Sequence, residues 1–379
     1  MEKRKICIVA EDYPYEGHPS YTFVQELAYG LSDEGFECSI IAPQSITKAL
    51  IRHESIQKVK TVDTSPNNNR IIVYRPYIVT FSNITIPFIN ELTYLSYQSA
   101  IKRTISKIKN IDYVYCYFWH IGLMTAKALL NDKTKLIVQA SECDISIIES
   151  YSKRDIVDRV DGVICASQKN YDESAKMGLI NDDSYTAIIP NGFRADEFYV
   201  IDKKEARKKI GINEECFVVA FVGDFNERKG VSRLSEAINR FDDVYSIFIG
   251  KGNIKPSCKN ILFQGTVNHN ELYMYLNSAD VFVLPTQAEG CCNAIIEAVA
   301  CGLPVISSNK SFNNEILDDC YSIRINENSV DEIEQAIRLL KNDLDLKDKM
   351  HLNACNNSIK FIISNRINSI IKFINRLQE

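Results

Sequence analysis

Two glutamates flank a predicted helix start in residues 281–308, VFVLPTQAEGCCNAIIEAVACGLPVISS. The run VFVL predicts a buried strand, and the apolar spacing after Asn293 predicts a helix. The loop between them therefore follows the carboxyl end of a strand, where ligands bind in open α/β sheets. Gly290 permits close approach to the backbone, and the amides that open the helix form an anion site suited to a diphosphate. Glu289 and Glu297 lie on either side of this helix start, although their spacing alone means little in a chain with 49 acidic residues.

Two adjacent cations, Arg228 and Lys229, lie in a second segment of this kind, VVAFVGDFNERKGVSRL at residues 218–234. A predicted strand ends at Gly223, and a helix is predicted to begin near Gly230. The pair is therefore expected at the mouth of the same sheet, where two cations can neutralise a diphosphate leaving group. Taken alone, this motif is more typical of an ordinary solvated basic pair.

The elements that must position these residues form a second α/β half of the chain. Its apolar runs predict a parallel sheet covered by helices. The predicted strands are Cys216–Val222, Tyr245–Ile249, Asn260–Phe263, Val281–Leu284, Val305–Ser307 and Tyr321–Ile325. The predicted helices are Val231–Ile238, Glu271–Asn277, Asn293–Ala300 and Val330–Leu340.

The first half of the chain predicts the same architecture. Lys5–Ala10 is predicted as a strand, Ser20–Leu31 as a helix, and Gly35 as the helix stop. Further strands are predicted at Cys38–Ala42, Ile71–Tyr74, Tyr113–Tyr117, Leu136–Val138, Gly162–Ala166 and Thr186–Ile189. The turn at Pro190-Asn191-Gly192 ends this half. We therefore predict two Rossmann-like, doubly wound domains, residues 1–195 and 196–360, followed by a helix at 361–379 that returns to the N-terminal domain.

Composition excludes several classes of protein. A length of 379 residues suggests two domains, and a net charge of −5 offers no basic field for nucleic acid. The 12 cysteines form no C-x-x-C pair and no zinc-finger spacing with histidine, which predicts free thiols in a reducing cytoplasm. The N-terminus has too few consecutive apolar residues for a signal peptide, and no apolar run reaches the roughly 18 residues of a membrane span. We therefore expect a cytoplasmic protein.

The stretch from residue 77 to residue 109 has a different composition from its surroundings. It is rich in aromatic residues and then turns basic. One interpretation is an amphipathic element that touches anionic membrane; the other is a core helix with a solvated basic end. The aromatic residues are Tyr77, Phe81, Phe88, Tyr94 and Tyr97, and the basic residues are Lys102, Arg103, Lys107 and Lys109.

Together, these segments resemble retaining glycosyltransferases of family 4, the group 1 glycosyl transferases. That family has the GT-B fold, in which two Rossmann-like domains face each other across a cleft. The resemblance covers most of the chain and is strongest in the C-terminal half. It is carried by IIPNG (188–192), FIGKG (248–252), FQGTV (263–267), SADVFVLPT (278–286) and EGCCNAIIEAVACGLPVI, which begins at Glu289.

The resemblance implies a role for each matching residue. Glu289 would face the hydroxyls of the donor sugar, Lys229 would contact the diphosphate, and Glu297 would hold the ribose hydroxyls. Gly290 and its neighbours would offer amides to the phosphates or the sugar, and FQGTV would lie near the base. The remaining implied donor-side residues are Gly223, Arg228, Thr266, Val267, Cys291, Cys292 and Asn293.

The chain departs from the family pattern at several positions. Asp224 stands where the family usually has Arg, which puts one phosphate contact in doubt. Only Gly17 remains of the glycine pair in the first loop, and QASECD, with Glu142 and Asp144, replaces a string that often contains His. We assign these three residues to the acceptor side. His120, in YFWHIG, follows another predicted strand and is a candidate catalytic residue; a purely structural histidine is the alternative.

The implied reaction transfers a sugar, as in a hexosyltransferase, from a nucleoside-diphosphate sugar to an acceptor hydroxyl with retention of configuration. Retention would proceed by front-side attack, with Lys229, Arg228 and the helix start stabilising the leaving diphosphate. The nucleotide sugar is a co-substrate, and neither a cofactor nor a metal is expected. Asp343 and Asp345 form a D-x-D string, but it lies in a charged helical stretch and is interpreted as surface.

Two other functions remain open on the sequence alone. One is a nucleotide-sugar epimerase of the same fold, and the other is a non-catalytic nucleotide-sugar-binding module. For the transferase, family habit suggests cell-surface polysaccharide or glycolipid biosynthesis. The acceptor would then be a glycan or a lipid-linked sugar, with peripheral contact at the inner face of the cell membrane.

Overall fold

The computed structural model describes residues 3–18, 20–81, 87–130, 133–145, 157–181, 184–212 and 215–377. The chain divides into two compact units. The N-terminal unit comprises residues up to 166, residues 170–189 and residues from 367 onward; the C-terminal unit comprises residues 167–169 and 190–366. Each unit has its own largely parallel sheet, as the α/β patterning predicts.

The sheet of the N-terminal unit has eight strands. They are β1 (Lys5–Val9), β2 (Glu37–Ile41), β4 (Lys60–Thr64), β5 (Arg70–Tyr74), β7 (Tyr113–Tyr117), β8 (Lys135–Ala140), β9 (Gly162–Cys165) and β10 (Tyr185–Ile188). Their order is β10-β9-β8-β7-β1-β2-β5-β4. Neighbouring strands are parallel except β4 and β5, which pair antiparallel at one edge. A separate parallel pair is formed by β3 (Gln44–Ser45) and β6 (Tyr77–Ile78).

Helices cover this sheet and bury its apolar core. They are α1 (Thr22–Asp33), α2 (Ile46–Arg52), α3 (Pro87–Ile105), α4 (Trp119–Ala128) and α5 (Gln168–Lys176). The last helix of the chain, α12 (Ile363–Arg376), joins them from Ile367 onward. The first helix begins at Thr22 rather than at Ser20, because Tyr21 takes a left-handed conformation with φ +60°. It ends beside Gly35, whose φ of +93° confirms the predicted stop.

The sheet of the C-terminal unit has six strands, all parallel to their neighbours. They are β11 (Phe217–Val222), β12 (Val244–Ile249), β13 (Ile261–Gly265), β14 (Val281–Leu284), β15 (Val305–Ser308) and β16 (Ser322–Ile325). Their order, β13-β12-β11-β14-β15-β16, reverses direction between β11 and β14. Ligands of open α/β sheets bind at such a reversal, outside the carboxyl ends of the strands.

The helices of the C-terminal unit agree closely with the apolar spacing. They are α6 (Lys203–Ile210), α7 (Val231–Ile238), α8 (Leu272–Asn277), α9 (Asn293–Ala300), α10 (Val330–Asn342) and α11 (Leu344–Ser358), and α12 begins in this unit. The predicted strands and helices of this half are present, with ends that differ from the prediction by at most two residues.

The sequence does not predict β4 in the N-terminal unit, because KTVDT has a single apolar residue and the strand is half-buried or exposed throughout.

The division between the units falls between Ile189 and Pro190 rather than at residue 195. Phe193 explains the difference: its amide donates to the carbonyl of Phe361, and its carbonyl accepts from the amide of Ile363, each at 2.8 Å. From Ile367 onward the last helix lies in the N-terminal unit. There Ile367 packs so closely on Gly30 that a β-carbon at that glycine would lie 2.4 Å from Ile367 Cγ1.

The aromatic and basic stretch contains α3. Its Ile101 and Ile105 are buried in the core, while Lys102, Arg103, Lys107 and Lys109 are exposed. Leu92 and Leu95, on the same helix, are 41% and 47% exposed. Residues 82–86 and the side chain of Phe88 lie outside the described part of the chain. The structure thus combines a core-packed face with a solvated basic end.

Candidate functional site

Two loops meet at the carboxyl ends of β11 and β14. The amide of Gln287 donates to the carbonyl of Arg228 at 2.8 Å, which joins the two loops through their backbones. Gly230 has φ +79°, and a β-carbon there would lie 2.5 Å from the carbonyl oxygen of Pro285. Only glycine therefore fits at this crossing, and it fixes where α7 begins.

The FIGKG string supplies a second close approach beside these loops. Gly250 has φ +150°, and a β-carbon there would lie 1.9 Å from the carbonyl oxygen of Gly223. The amide of Gly223 donates to the carbonyl of Ile249, and the amide of Phe225 donates to that of Lys251, at 2.9 and 2.8 Å. The loop after β11 is thus held by backbone contacts, leaving the side chains of residues 228 and 229 to serve the site.

Glu289 is the centre of the site. Its Oε1 lies 2.6 Å from Lys229 Nζ, 2.7 Å from the Thr286 hydroxyl and 3.1 Å from Arg228 Nη1. The residue is only 8% exposed. Arg228 also donates to the carbonyl of Ala288 at 2.5 Å, so its guanidinium is anchored in the same loop. One carboxylate oxygen of Glu289 therefore contacts two cations and a hydroxyl at the carboxyl edge of the sheet.

The electrostatics of Lys229 follow from these neighbours. Burial lowers the pKa of Lys229, but the nearby Cys292 and Glu289 outweigh burial and raise it above its ordinary value. Burial also raises the pKa of the Cys292 thiol to about 11. At neutral pH the site thus holds an ammonium and a neutral thiol.

The sequence-predicted helix start lies at α9, next to Glu289. Cys292 is the residue before the first turn and is buried, whereas Asn293 is exposed. Cys291 Sγ accepts from the amide of Asn191 at 3.4 Å, and Asn293 Oδ1 accepts from Asn191 Nδ2 at 2.8 Å. The first amides of a helix have no partner within the helix, so this start can bind an anion.

Glu297 lies one turn further along α9, and the structure gives it a partner that the sequence does not predict. His269 Nε2 is 3.4 Å from Glu297 Oε1, and His269 Nδ1 is 3.4 Å from Glu197 Oε2. The two carboxylates raise the pKa of His269 to about 10, although burial opposes the shift. The sequence could have indicated His269 as a site residue, because it lies three residues after Thr266. Only the tertiary structure brings the two carboxylates next to it.

The other predicted donor-side residues lie on neighbouring strand ends. Thr266 is exposed and follows β13, and Val267 is half-buried against the core. Asp224 is exposed, and the carboxylate that Arg228 contacts is that of Glu289. The acidic departure from the family pattern therefore lies in solvent, not against the Arg228 guanidinium.

The N-terminal unit contains a cavity of about 560 Å³. Glu11, His120, Glu142 and Asp144 are among its lining residues, with several tyrosines and the cations Lys48, Arg52 and Arg75. His120 Nε2 lies 2.7 Å from Glu11 Oε1, and the Tyr21 hydroxyl donates to the other oxygen of Glu11. Burial raises the pKa of Glu11, but His120 and Tyr21 outweigh it and bring the pKa to about 2.

The pKa of His120 is shifted in the opposite direction from that of Glu11. Burial lowers its pKa, yet Glu11 and, more weakly, Glu142 raise it above the ordinary value. The sequence alone did not single out Glu11, which lies just after β1 and precedes Asp12. Its place directly after the first strand was the signal that could have identified it.

The three residues assigned to the acceptor side have different surroundings. Glu142 accepts from the amide of Trp119, the first residue of α4, and from the amide of Ser141 at 2.9 Å. Its carboxylate therefore caps a helix as well as lining the cavity. Gly17, with φ +79°, forms the tight turn between Tyr15 and His18, whose side chains line the cavity. Asp144 is an exposed lining residue.

The D-x-D string has a helix-capping role. Asp343 accepts from the amide of Leu346 at 2.9 Å and precedes α11, and Asp345 lies in the first turn of that helix. Among the described residues, no cluster of three or more His, Cys, Asp or Glu side chains has the arrangement of a metal site. No helix in the described ranges is long and apolar enough to cross a membrane.

Residues 202–357 match the family model of glycosyl transferases group 1. Over 345 residues the chain is 25% identical to the putative teichuronic acid biosynthesis glycosyltransferase TuaC of Bacillus subtilis, covering 86% of this chain and 84% of that protein. Over 222 residues it is 29% identical to the UDP-Gal:alpha-D-GlcNAc-diphosphoundecaprenol alpha-1,3-galactosyltransferase of Escherichia coli, covering 53% of this chain and 55% of that protein. Anabaena HepE in complex with UDP and glucose superposes with a TM-score of 0.68 at 17% identity, covering 98% of this chain and 100% of that one.

The two largely parallel sheets and the structural likeness define a GT-B fold. The family match and the named relatives make the chain a transferase enzyme. Residues 202–357 match the group 1 glycosyltransferases, and the likeness to a glycosyltransferase extends over 86% of the chain.

Proposed function

We propose that this chain is a retaining, metal-independent glycosyltransferase that moves a sugar from a nucleoside-diphosphate sugar to an acceptor hydroxyl. One observation carries the proposal: Glu289 Oε1 lies within 3.1 Å of Lys229, Thr286 and Arg228 at the carboxyl edge of the sheet. Such a cluster can receive both a sugar hydroxyl and a diphosphate. The UDP and glucose bound to HepE and the names of the relatives support a nucleotide-sugar donor.

In the proposed reaction, the bond between the anomeric carbon and the diphosphate oxygen breaks as the acceptor oxygen forms its bond on the same face. The acceptor proton passes to the departing diphosphate, which leaves with the electron pair. Lys229, Arg228 and the amides that open α9 stabilise the charge on that leaving group. Glu289 accepts hydrogen bonds from the donor sugar and keeps the sugar over the phosphates.

Glu297 would bind the ribose of the donor. Its side chain is 12% exposed on α9, about one turn beyond the helix start that we assign to the phosphates. A carboxylate can accept from two vicinal hydroxyls at once, which suits a ribose. Thr266, Val267 and the neighbouring backbone would contact the base.

The cavity of the N-terminal unit would bind the acceptor. Carboxylates and tyrosines are suited to the hydroxyls and apolar faces of a sugar, and both line the cavity. His120 would act there as a cation, because Glu11 holds its pKa high. The names of the relatives favour a glycan or lipid-linked acceptor in cell-surface polysaccharide or glycolipid biosynthesis.

The test is a thermal-shift screen against UDP-, GDP- and ADP-sugars, followed by turnover of the donor that stabilises the protein. Transfer to a glycan or lipid-linked acceptor, with the product anomer read by NMR, is the expected result. Conversion of the donor to an isomer without acceptor would indicate the epimerase instead. Binding without hydrolysis or transfer, across many acceptors, would indicate a binding module, and an inverted product would refute retention.

We also propose that the N-terminal unit contacts anionic lipid from the cytoplasmic side through the basic residues in the last turn of α3 and just after it. The four cations there are exposed, and each would add about 1 kcal/mol of attraction near such a surface. Co-sedimentation with vesicles containing phosphatidylglycerol should fall when the cations are changed to Gln. The changed residues are Lys102, Arg103, Lys107 and Lys109.

A matched control removes the same charge from the other unit. It changes four exposed cations, Lys204, Lys208, Lys209 and Lys255, to Gln. This control should sediment with the vesicles as the unchanged protein does. Equal loss in both variants, or no binding by the unchanged protein, would refute the contact.

A further inference from the structure

His269 lies between two carboxylates that come from distant parts of the C-terminal unit. Its Nε2 is 3.4 Å from Glu297 Oε1, and its Nδ1 is 3.4 Å from Glu197 Oε2. Glu197 belongs to the turn that follows the Pro190-Asn191-Gly192 string, His269 to the turn after β13, and Glu297 to α9. The fold therefore assembles this triad from three segments.

The imidazole is fixed on more than one side. Glu197 is itself held by Arg194, whose Nε lies 3.0 Å from its Oε1. The ring of Phe198 meets the imidazole edge-on, with 5.1 Å between centroids and an interplanar angle of 77°. Although 56% of the His269 side chain is exposed, these contacts define where its Nε2 points.

We infer that His269 is a positioning residue that holds the Glu297 carboxylate in the orientation that accepts the ribose hydroxyls of the donor. The inference rests on the proposed function, which assigns Glu297 to the ribose. A glutamate side chain has several rotamers, and fixing one on binding costs roughly 2- to 10-fold in affinity unless the side chain is already fixed. The contact with His269 fixes it before the ligand arrives.

The charge of the triad supports this role. Glu197 and Glu297 raise the pKa of His269 to about 10, so at neutral pH the imidazole is a cation between two carboxylates, and its Nε2 donates to Glu297. Arg194 lies beyond Glu197 and pairs with both Glu197 and Asp196. The contact engages Glu297 through one oxygen, and a carboxylate has about four acceptor positions, so hydroxyls can still bind.

The test measures binding by calorimetry. The probes are UDP, GDP and ADP, and the tightest is compared with its 2′-deoxyribose counterpart. The variants are His269→Ala, Glu297→Ala and the double variant. Asn270→Ala is the matched control, because Asn270 is an exposed neighbour in the same short turn.

His269→Ala should weaken binding of the ribose probe roughly 2- to 10-fold, and Asn270→Ala should leave it unchanged. In the Glu297→Ala background, His269→Ala should have no further effect, because a positioning residue acts only through the residue it positions. His269→Ala should also reduce the preference for the ribose probe over the deoxyribose probe. A residue that merely stabilised the turn would weaken both probes equally and in both backgrounds.

The outcomes separate this inference from the proposed function. If none of the three nucleotides binds, the proposed function fails. If Glu297→Ala leaves binding unchanged, the ribose assignment fails, and the positioning role fails with it. If Glu297→Ala weakens binding but His269→Ala does not, or if the two effects add, the positioning role alone is overturned.

Discussion

The two units carry acidic side chains at the carboxyl edges of their parallel sheets, but these acids have different partners. In the C-terminal unit Glu289 is paired with Lys229 and Arg228, two charges that a phosphate can also bind. In the N-terminal unit Glu142 accepts from the backbone amides of Trp119 and Ser141. The first arrangement can change partners when a ligand arrives, whereas the second holds a helix in place. Position at a strand end therefore does not by itself define a carboxylate's role.

The largest expected effect compares these two glutamates directly. Glu289→Gln should lower kcat by about 10²-fold or more, because it removes a charge from the reacting site. It should leave the melting temperature near its original value, since Gln keeps the shape and can still accept from Thr286. Glutamine is the better substitution than Ala, because Glu289 is 8% exposed and its loss would leave Lys229 buried without this partner.

Glu142→Gln should show the opposite pattern. It should lower the melting temperature by weakening a helix cap, a loss of about 0.5–2 kcal/mol, with a smaller effect on kcat. Thermal unfolding and steady-state kinetics on Glu289→Gln and Glu142→Gln check both predictions. Equal loss of kcat in both would show that the two carboxylates do not differ in role.

The second prediction concerns the cations of the C-terminal unit. Arg228→Ala should weaken binding of the cognate nucleoside diphosphate by about 1.5–3 kcal/mol, the scale of a charge-assisted hydrogen bond. Asp224→Ala is the matched control in the same loop and should cost far less, since Asp224 is exposed. Calorimetric titration measures both. Unchanged affinity in Arg228→Ala would leave Lys229 and the helix start as the source of positive charge.

The third prediction uses the pH dependence of the pair in the N-terminal cavity. The lowered pKa of Glu11, about 2, stabilises the fold above about pH 4.5, and this contribution is lost as the pH falls towards 2. The raised pKa of His120 stabilises the fold below about pH 6.5, and this contribution is lost as the pH rises through the folded-state value. The melting-temperature difference between the unchanged protein and His120→Gln should therefore be largest near about pH 5.5. A difference that is constant from pH 3 to pH 9 would rule out the ion pair as its source.

The smallest expected effect is that of removing metal ions, which should leave the transfer rate unchanged. We expect transfer to persist in excess EDTA, because the cations of the proposed site are Arg228 and Lys229 rather than a metal. Protein dialysed against EDTA and assayed with and without added Mg²⁺ or Mn²⁺ checks this. Activity that is lost in EDTA and restored only by metal would contradict it.

The sequence by itself determined most of the fold and the candidate donor site. Strands such as Val281–Leu284 are short, wholly buried apolar runs, and helices such as Asn293–Ala300 have regular apolar spacing, so local pattern predicts both. Glu289 and Lys229 were found because each lies in a loop directly after such a strand. Because parallel strands place their carboxyl ends at one edge, the sequence places both loops at that edge, and the pairing of β11 with β14 makes them neighbours.

Tertiary structure decided the pairings between distant residues. Nothing local relates Glu11 to His120, or Glu197 to His269 and Glu297, because their sequence neighbourhoods have no shared pattern and only the folded sheet brings them within reach. The same holds for Glu142, which the sequence could assign to the acceptor side but not to the cap of α4. Patterns of burial are local and repeat along the chain, whereas a polar contact depends on the position of two separate elements in space. The sequence therefore predicts which residues lie at the sheet edge, and the structure decides which of them contact one another.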